Sequence, residues 1–322
     1  MKWFKPDERW ELFGVKSLED FIDNYVVTGK FHEQVPKDID TAFETVSYLM
    51  AHSYYHWPLM DEAMTKALLV MEMAVKLKAK KDNIALETPP NKSGKTFQKK
   101  LVLLIDEVCE INEIDFLKSD FDRARILRNS RMHPEQHSYM GALGKPKGNM
   151  MLFINIINFL FLEKAAIEQL KVRRQQLKKE LQLFLNGNFV LEYNNTKILI
   201  DIVHYHKYVK FGDEELLMLL VNPVLTNAYQ YITEQKFEDP VVIALKEFRI
   251  NGLTLEGKDL NGGDVKIETT YKEENMLKFL RFNEELKKVS EDNIAIYNAF
   301  RSGKALWEME RMIYNNLWEL KN

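Results

Sequence analysis

The stretch ARILRNSRMHPEQHSYMG, residues 124–141, gathers Arg125, Arg128 and Arg131 with Asn129, His133 and His137. These residue types suit phosphate chemistry. Histidine exchanges protons near neutral pH. Arginine stays charged and grips phosphate oxygens through a planar fork. Charge stabilisation of that kind is often the largest catalytic contribution. A competing reading needs no chemistry: Arg128 and His133 would simply complement carbonyls at a helix C-terminus, where positive charge is favourable.

Composition narrows the setting. A chain of 322 residues allows one to three domains. Its 46% apolar content excludes wholesale disorder. A net charge of −3 means that any nucleic-acid contact must come from a local patch. The single cysteine, Cys109, allows neither an intrachain disulfide nor a thiolate zinc site. Both suit a reducing cytoplasm. The start MKWFKPDERWELFG lacks the apolar core of a signal peptide. The most apolar run, MMLFINIINFLFL at 150–162, falls short of the roughly 20 residues a membrane span needs. A cytoplasmic protein outside the membrane is expected.

The elements that must position the cluster follow from hydrophobic periodicity. Residues 1–39 form an N-terminal extension. Ala42, Phe43, Val46, Leu49, Met50 and Tyr54 mark a first helix that Pro58 ends. A second covers about 59–80, a third about 96–111, and a fourth about 115–132, stopping near Pro134. A fifth starts near Asn149 and extends toward Leu185. From Gly187 the pattern changes to period two, with a hairpin at Asn194–Asn195 and further turns at Asn251–Gly252 and Gly262–Gly263. LLMLLVNPVL suits either a strand or a buried helix. From Glu273 the text is helical again. The expected fold is mainly α: an antiparallel helical bundle over 40–185, then a smaller α+β domain over 186–322 with antiparallel hairpins and C-terminal helices.

Within the fourth helix, Arg128-Asn129-Ser130-Arg131-Met132-His133-Pro134 resembles the R-x(4–6)-H signature of the HEPN superfamily, in which a polar residue often follows the arginine. ALLVMEMAVKLKAK, with Glu72 and Lys76 one turn apart, resembles that superfamily's early helix. LVLLIDEVCEI resembles its middle helix, and the apolar helix after Asn149 its closing one. The resemblance covers residues 40–185. It implies a helical dimer, a metal-independent endoribonuclease, catalytic roles for Arg128 and His133, and two copies of the motif meeting across the dimer.

Geometry adds a condition. Five helical steps advance about 7.5 Å and turn about 140°, so Arg128 and His133 do not share a helix face. Pro134 biases His133 out of the α-region, letting the imidazole turn into a cleft. A two-fold axis would bring two arginines and two histidines to one groove. Asn129 would orient Arg128 or touch substrate. Arg131, His137, Lys145 and Lys147 are candidate contacts to the RNA backbone. Arg131, His137 and Tyr139 also fit a second register, R-x(5)-H-x-Tyr, known in HEPN toxins. No cofactor and no metal are expected.

Other signals are weaker. KVRRQQLKK puts five positive charges at 171–179, chiefly suited to a solvated helix face. His204 and His206 lie two apart on a predicted strand without an evident third metal ligand. NKSGKT, at 91–96, lacks the full phosphate-loop spacing. The expected function is RNA cleavage by 2′-hydroxyl attack in a toxin–antitoxin or antiviral setting, with RNA, a second copy of the chain and an antitoxin or sensor protein as partners. The alternative is a non-catalytic HEPN module that dimerises and binds nucleotide or a partner protein.

Overall fold

The structure, a computed structural model, describes residues 4–132 and 145–318. His133, Pro134, His137 and Tyr139 lie outside the described residues. The chain divides into two compact units, residues 1–167 with 318–322, and residues 168–317.

The first unit is helical. Its helices are α1 (Leu18–Tyr25), α2 (Lys37–His52), α3 (Leu59–Lys81), α4 (Leu101–Asn112), α5 (Lys118–Met132) and α6 (Lys145–Leu160). Helix α3 is the centre. It packs against α2, α4, α5 and α6, and buries Ala67, Leu68, Met71, Ala74 and Val75. These residues form one broad apolar face, as expected of a helix packed into a bundle, with Glu72 and Lys76 on its other side. The N-terminal extension docks through aromatic side chains. Trp10 lies 4.3 Å from Trp57 and 4.6 Å from Phe21, and its indole N–H donates to the Ser53 carbonyl at 2.8 Å. Trp318 also belongs to this unit, its indole N–H donating to buried Asn155 at 2.7 Å.

Helix α2 ends at His52, six residues before Pro58, and two further helix boundaries differ from those predicted. Helix α4 begins at Leu101, five residues after Thr96. Residues 87–98 instead form a small turn, bridged at Glu87 and Gln98, in which the Asn91 side chain accepts from the Ser93 and Lys95 amides. Phe97, which falls within the predicted third helix, is exposed. The predicted long fifth helix is two, α6 and α7 (Lys164–Glu180). A tertiary contact breaks it. The Asn158 carbonyl, which would receive the Leu162 amide in a continuing helix, accepts from His32 Nε2 at 2.8 Å, while the Asn158 side chain binds the backbone of Lys30 and His32.

The second unit overturns the mainly α expectation. Strands β1 (Phe189–Tyr193), β2 (Thr196–Phe211), β3 (Glu214–Pro223), β4 (Val241–Asn251), β5 (Thr254–Lys258) and β6 (Asp264–Thr269) pair in sequence order. β1 also pairs with β6, so the antiparallel sheet closes into a six-stranded barrel. The fold is α+β. Asn194 and Asn195 both take positive φ, as the tight β1–β2 turn requires. LLMLLVNPVL resolves as β3 and its end. It is apolar on both faces because one side meets the barrel interior and the other meets helix α10 (Glu291–Asn316). Helices α8 (Ala228–Thr233) and α9 (Glu273–Leu286) complete this unit. Buried Glu310 of α10 pairs with Lys207 of β2 at 2.8 Å.

Two bulges interrupt the β2–β3 ladder. One leaves His206 out of the backbone register with β3. The other inserts Asp201 between Ile200 and Ile202. Asp201 is buried, and loss of water pushes its carboxyl up from an ordinary 3.8 to about 6, partly opposed by the Asn222 amide. Because the folded pKa is raised, the ionised form costs stability above about 6, and that cost fades as pH falls toward 3.8. Asp201→Asn should therefore be more stable at neutral pH by roughly 2–3 kcal/mol, taking 1.36 kcal/mol per unit. Urea titrations of both proteins across the acidic range should show that gain shrinking toward zero as pH is lowered. A pH-independent difference would contradict the assignment.

Candidate active site

Helix α5 carries the motif arginines, and its sequence sets their direction. Phe121 and Ala124 are buried against the bundle, and Arg125 and Arg128, one turn apart, lie beside that apolar face. Across from them α3 presents Glu72 and Lys76, also one turn apart. The start of α4 supplies Lys99, Lys100 and Leu101. Together these residues line a cavity of about 400 Å³.

Glu72 organises the charges. One carboxylate oxygen sits 3.0 Å from an Arg128 terminal nitrogen, and the other sits 2.7 Å from Lys76 Nζ. The Arg128 side chain is 28% exposed and that of Glu72 15%, so this pair is screened less than a surface pair. Arg128 also donates weakly to the Asn129 side chain at 3.4 Å. Its Nε is buried and finds no acceptor among the described residues. Arg128 therefore keeps an unused donor in a pocket of cations.

The other cations differ in how strongly they are held. Lys99 is claimed by Glu107 at 2.6 Å and Arg125 by Asp122 at 3.1 Å. Lys100 is exposed and has no acidic partner among the described residues. The α4 N-terminus adds peptide N–H groups and the positive end of its dipole on the same side. Five basic side chains and one carboxylate on one wall form an anion-attracting environment.

Of the residues singled out in the sequence, Arg128 and Asn129 both line this cavity. His133 and His137 lie outside the described residues, as does Tyr139. Arg131 and Lys145 belong to α5 and α6 by backbone, and their side chains are outside the described set. Lys147 is placed elsewhere. Its ammonium donates to the Asp23 and Asn24 carbonyls at 3.2 and 2.7 Å, near the C-terminal end of α1. The basic run of α7 is largely engaged within its own unit, with Arg174 Nε donating to the Tyr208 carbonyl at 2.8 Å and Arg173 lying over the Phe248 ring.

No family model, curated protein or solved structure matches the chain. The HEPN resemblance therefore rests on the motif and on the helices around it.

Lys99 and Lys100 were missed in the sequence. They sit inside what looked like a helix start, and only the turn over residues 87–98 delivers them to the cavity. Other chemistry finds less support. Burial pushes the Cys109 thiol up to about 12, so it is a poor nucleophile. Among the described residues no group of three or more histidine, cysteine or acidic side chains could hold a metal. No single helix among them is long and apolar enough to cross a membrane.

Glu72→Gln should remove the one negative charge among these cations. The fold should lose about 1 kcal/mol in low salt, the scale of a partly exposed pair. Inorganic phosphate should restore its melting temperature more than sodium chloride of equal ionic strength. Equal recovery by both salts would mean screening alone, without an anion site.

Proposed function

We propose that the helical unit is a HEPN-type, metal-independent endoribonuclease. The observation that carries this reading is Arg128. It stands on the motif-bearing helix, is held from behind by Glu72, and has an unused Nε donor in a cavity lined by four further cations.

RNA supplies its own nucleophile. The 2′-hydroxyl oxygen attacks the adjacent phosphorus, and the bond from phosphorus to the 5′-oxygen breaks. The proton leaves the 2′-oxygen and one is delivered to the 5′-oxygen, giving a 2′,3′-cyclic phosphate and a 5′-hydroxyl end. His133 is the proton-transfer group. Arg128 stabilises charge on the phosphorane oxygens, Asn129 steadies its guanidinium, and Lys76 and Lys100 attract the backbone. Arg131, His137 and Lys145 extend the RNA contact. Two copies of the chain pair through the helical unit so that their motifs face one groove. The setting is cytoplasmic, in toxin–antitoxin or antiviral defence, with an antitoxin or sensor protein as regulator.

One observation favours a second reading, a HEPN module that binds nucleotide or a partner without cleaving RNA. The Glu72 carboxylate already occupies part of the Arg128 guanidinium, so an incoming phosphate must compete with it.

Purified protein incubated with total RNA separates these readings. His133→Ala should lower cleavage by about 10²–10⁴-fold. Arg128→Ala should abolish it, and Arg128→Lys should restore it only in part, because lysine lacks the planar fork. His137→Ala should retain most activity. Wild-type cleavage by His133→Ala, with loss in His137→Ala, would move the site to the second register. Binding of RNA by the wild type without any cleavage would favour the non-catalytic module.

A further inference from the structure

The barrel unit holds a second built cavity, of about 470 Å³, between the β2–β3 face and helices α8, α9 and α10. Its polar end contains three side chains that are each more than nine-tenths buried: Asp201, Asn222 and Arg301. Asn222 Nδ2 donates to Asp201 at 2.6 Å. That leaves Asn222 Oδ1 as a buried acceptor with no donor. Arg301 gives one N–H to the Val221 carbonyl at 2.9 Å and lies 5.2 Å over the Tyr297 ring. Neither Asp201 nor Arg301 forms an ion pair with the other or with any other described residue.

Two opposite charges without a direct ion pair and an orphan acceptor, all buried, are costly for the empty protein, even though backbone amides and the Arg301 charge partly support the Asp201 carboxylate. The rest of the wall is mixed: Leu220, Phe282 and Ile294 give it an apolar side, and His204, Asn298 and Ser302 add polar groups. Complementarity restricts the ligand. A simple anion would leave Asp201 without an ion-pair partner, and a simple amine would leave Arg301 so. A sugar would set hydroxyls against Leu220, Phe282 and Ile294. A small zwitterion with an apolar body satisfies all three demands.

We propose that this cavity binds an apolar α-amino acid. Its ammonium faces Asp201 and Asn222 Oδ1, its carboxylate meets Arg301, and its side chain lies against the apolar residues of the wall. The position of Asp201 in a β-bulge fits such a role, since bulges re-aim side chains toward sites. The unit would thereby report amino-acid supply, independently of what the helical unit does.

Titration calorimetry on the full-length protein tests this with L-phenylalanine and L-leucine as probes. Phenethylamine lacks the carboxylate, and 3-phenylpropionate lacks the ammonium. At least one amino acid should bind, and each half-probe should bind at least about tenfold more weakly than phenylalanine or leucine. Asp201→Asn, which is isosteric and relieves a buried charge, should weaken amino-acid binding about tenfold or more while circular dichroism stays unchanged. Arg301→Gln should do the same, with its fold checked in the same way. Affinity should also fall as pH drops through about 6, where Asp201 takes up a proton. The other titratable groups on the cavity are His204 of β2 with Tyr297 and Arg301 of α10; the α8 and α9 wall is apolar. Protonation of His204 would act in the same direction by adding positive charge near the ammonium. Absence of binding at millimolar amino acid, a half-probe binding as tightly, or unchanged affinity in folded Asp201→Asn would each overturn the proposal.

Discussion

The carboxylate of Glu72 is shared between Arg128 on α5 and Lys76 on its own helix, and the candidate site is arranged around that sharing. Without it, five cations would face one another across a small cavity. With it, Arg128 is fixed in place yet retains a buried Nε donor for an anion. The requirement is structural before it is chemical. Glu72 reaches Arg128 because α3 runs through the middle of the bundle and contacts α5 along an apolar seam that includes Phe121 and Ala124. A carboxylate behind an arginine also has a cost, because it competes with the phosphate the arginine would bind. The net positive wall contributed by Lys76, Lys99, Lys100 and Arg125 offsets that competition.

The barrel unit solves a different problem. A six-stranded sheet closed by β1 and β6 has no free edges to protect. Its outer face beside β3 is covered by α10, which lets β3 be apolar on both sides. Most charges brought into this packing are satisfied, as Glu310 is by Lys207. Asp201 and Arg301 depart from that pattern. Their burial without ion-pair partners, beside the orphan oxygen of Asn222, is the observation on which the proposed recognition site rests.

Much of the helical unit was legible because its signals are local. The period of apolar residues places α2 and α3, Pro58 marks the start of α3, and the stripe around Leu104, Ile105 and Val108 places α4. What escaped depended on distant contacts. His32 captures the Asn158 carbonyl and ends α6, although no proline or glycine marks the break. The turn that carries Lys99 and Lys100 depends on pairing between Glu87 and Gln98. The hairpin at Asn194–Asn195 was visible from its turn chemistry, whereas the closure of β1 on β6 was not, since their pairing joins residues some eighty positions apart. The unbroken apolar run of β3 hid its class, because burial on both faces erases the alternation by which strands are recognised. Of the candidate site, Arg128 and Asn129 were legible from the motif; Glu72 and Lys76 were visible as neighbours one turn apart on α3 but not as site residues. The bulge at Asp201 and the cavity beside it left no sequence signature.

The most direct measurement is to map the ends of RNA incubated with the purified protein in EDTA. Attack by the RNA's own 2′-hydroxyl, assisted only by side chains, predicts fragments ending in 2′,3′-cyclic phosphate with 5′-hydroxyl partners, at an undiminished rate. Fragments carrying 5′-phosphate and free 3′-hydroxyl ends, or cleavage that stops on chelation, would contradict a metal-independent arginine–histidine site on α5.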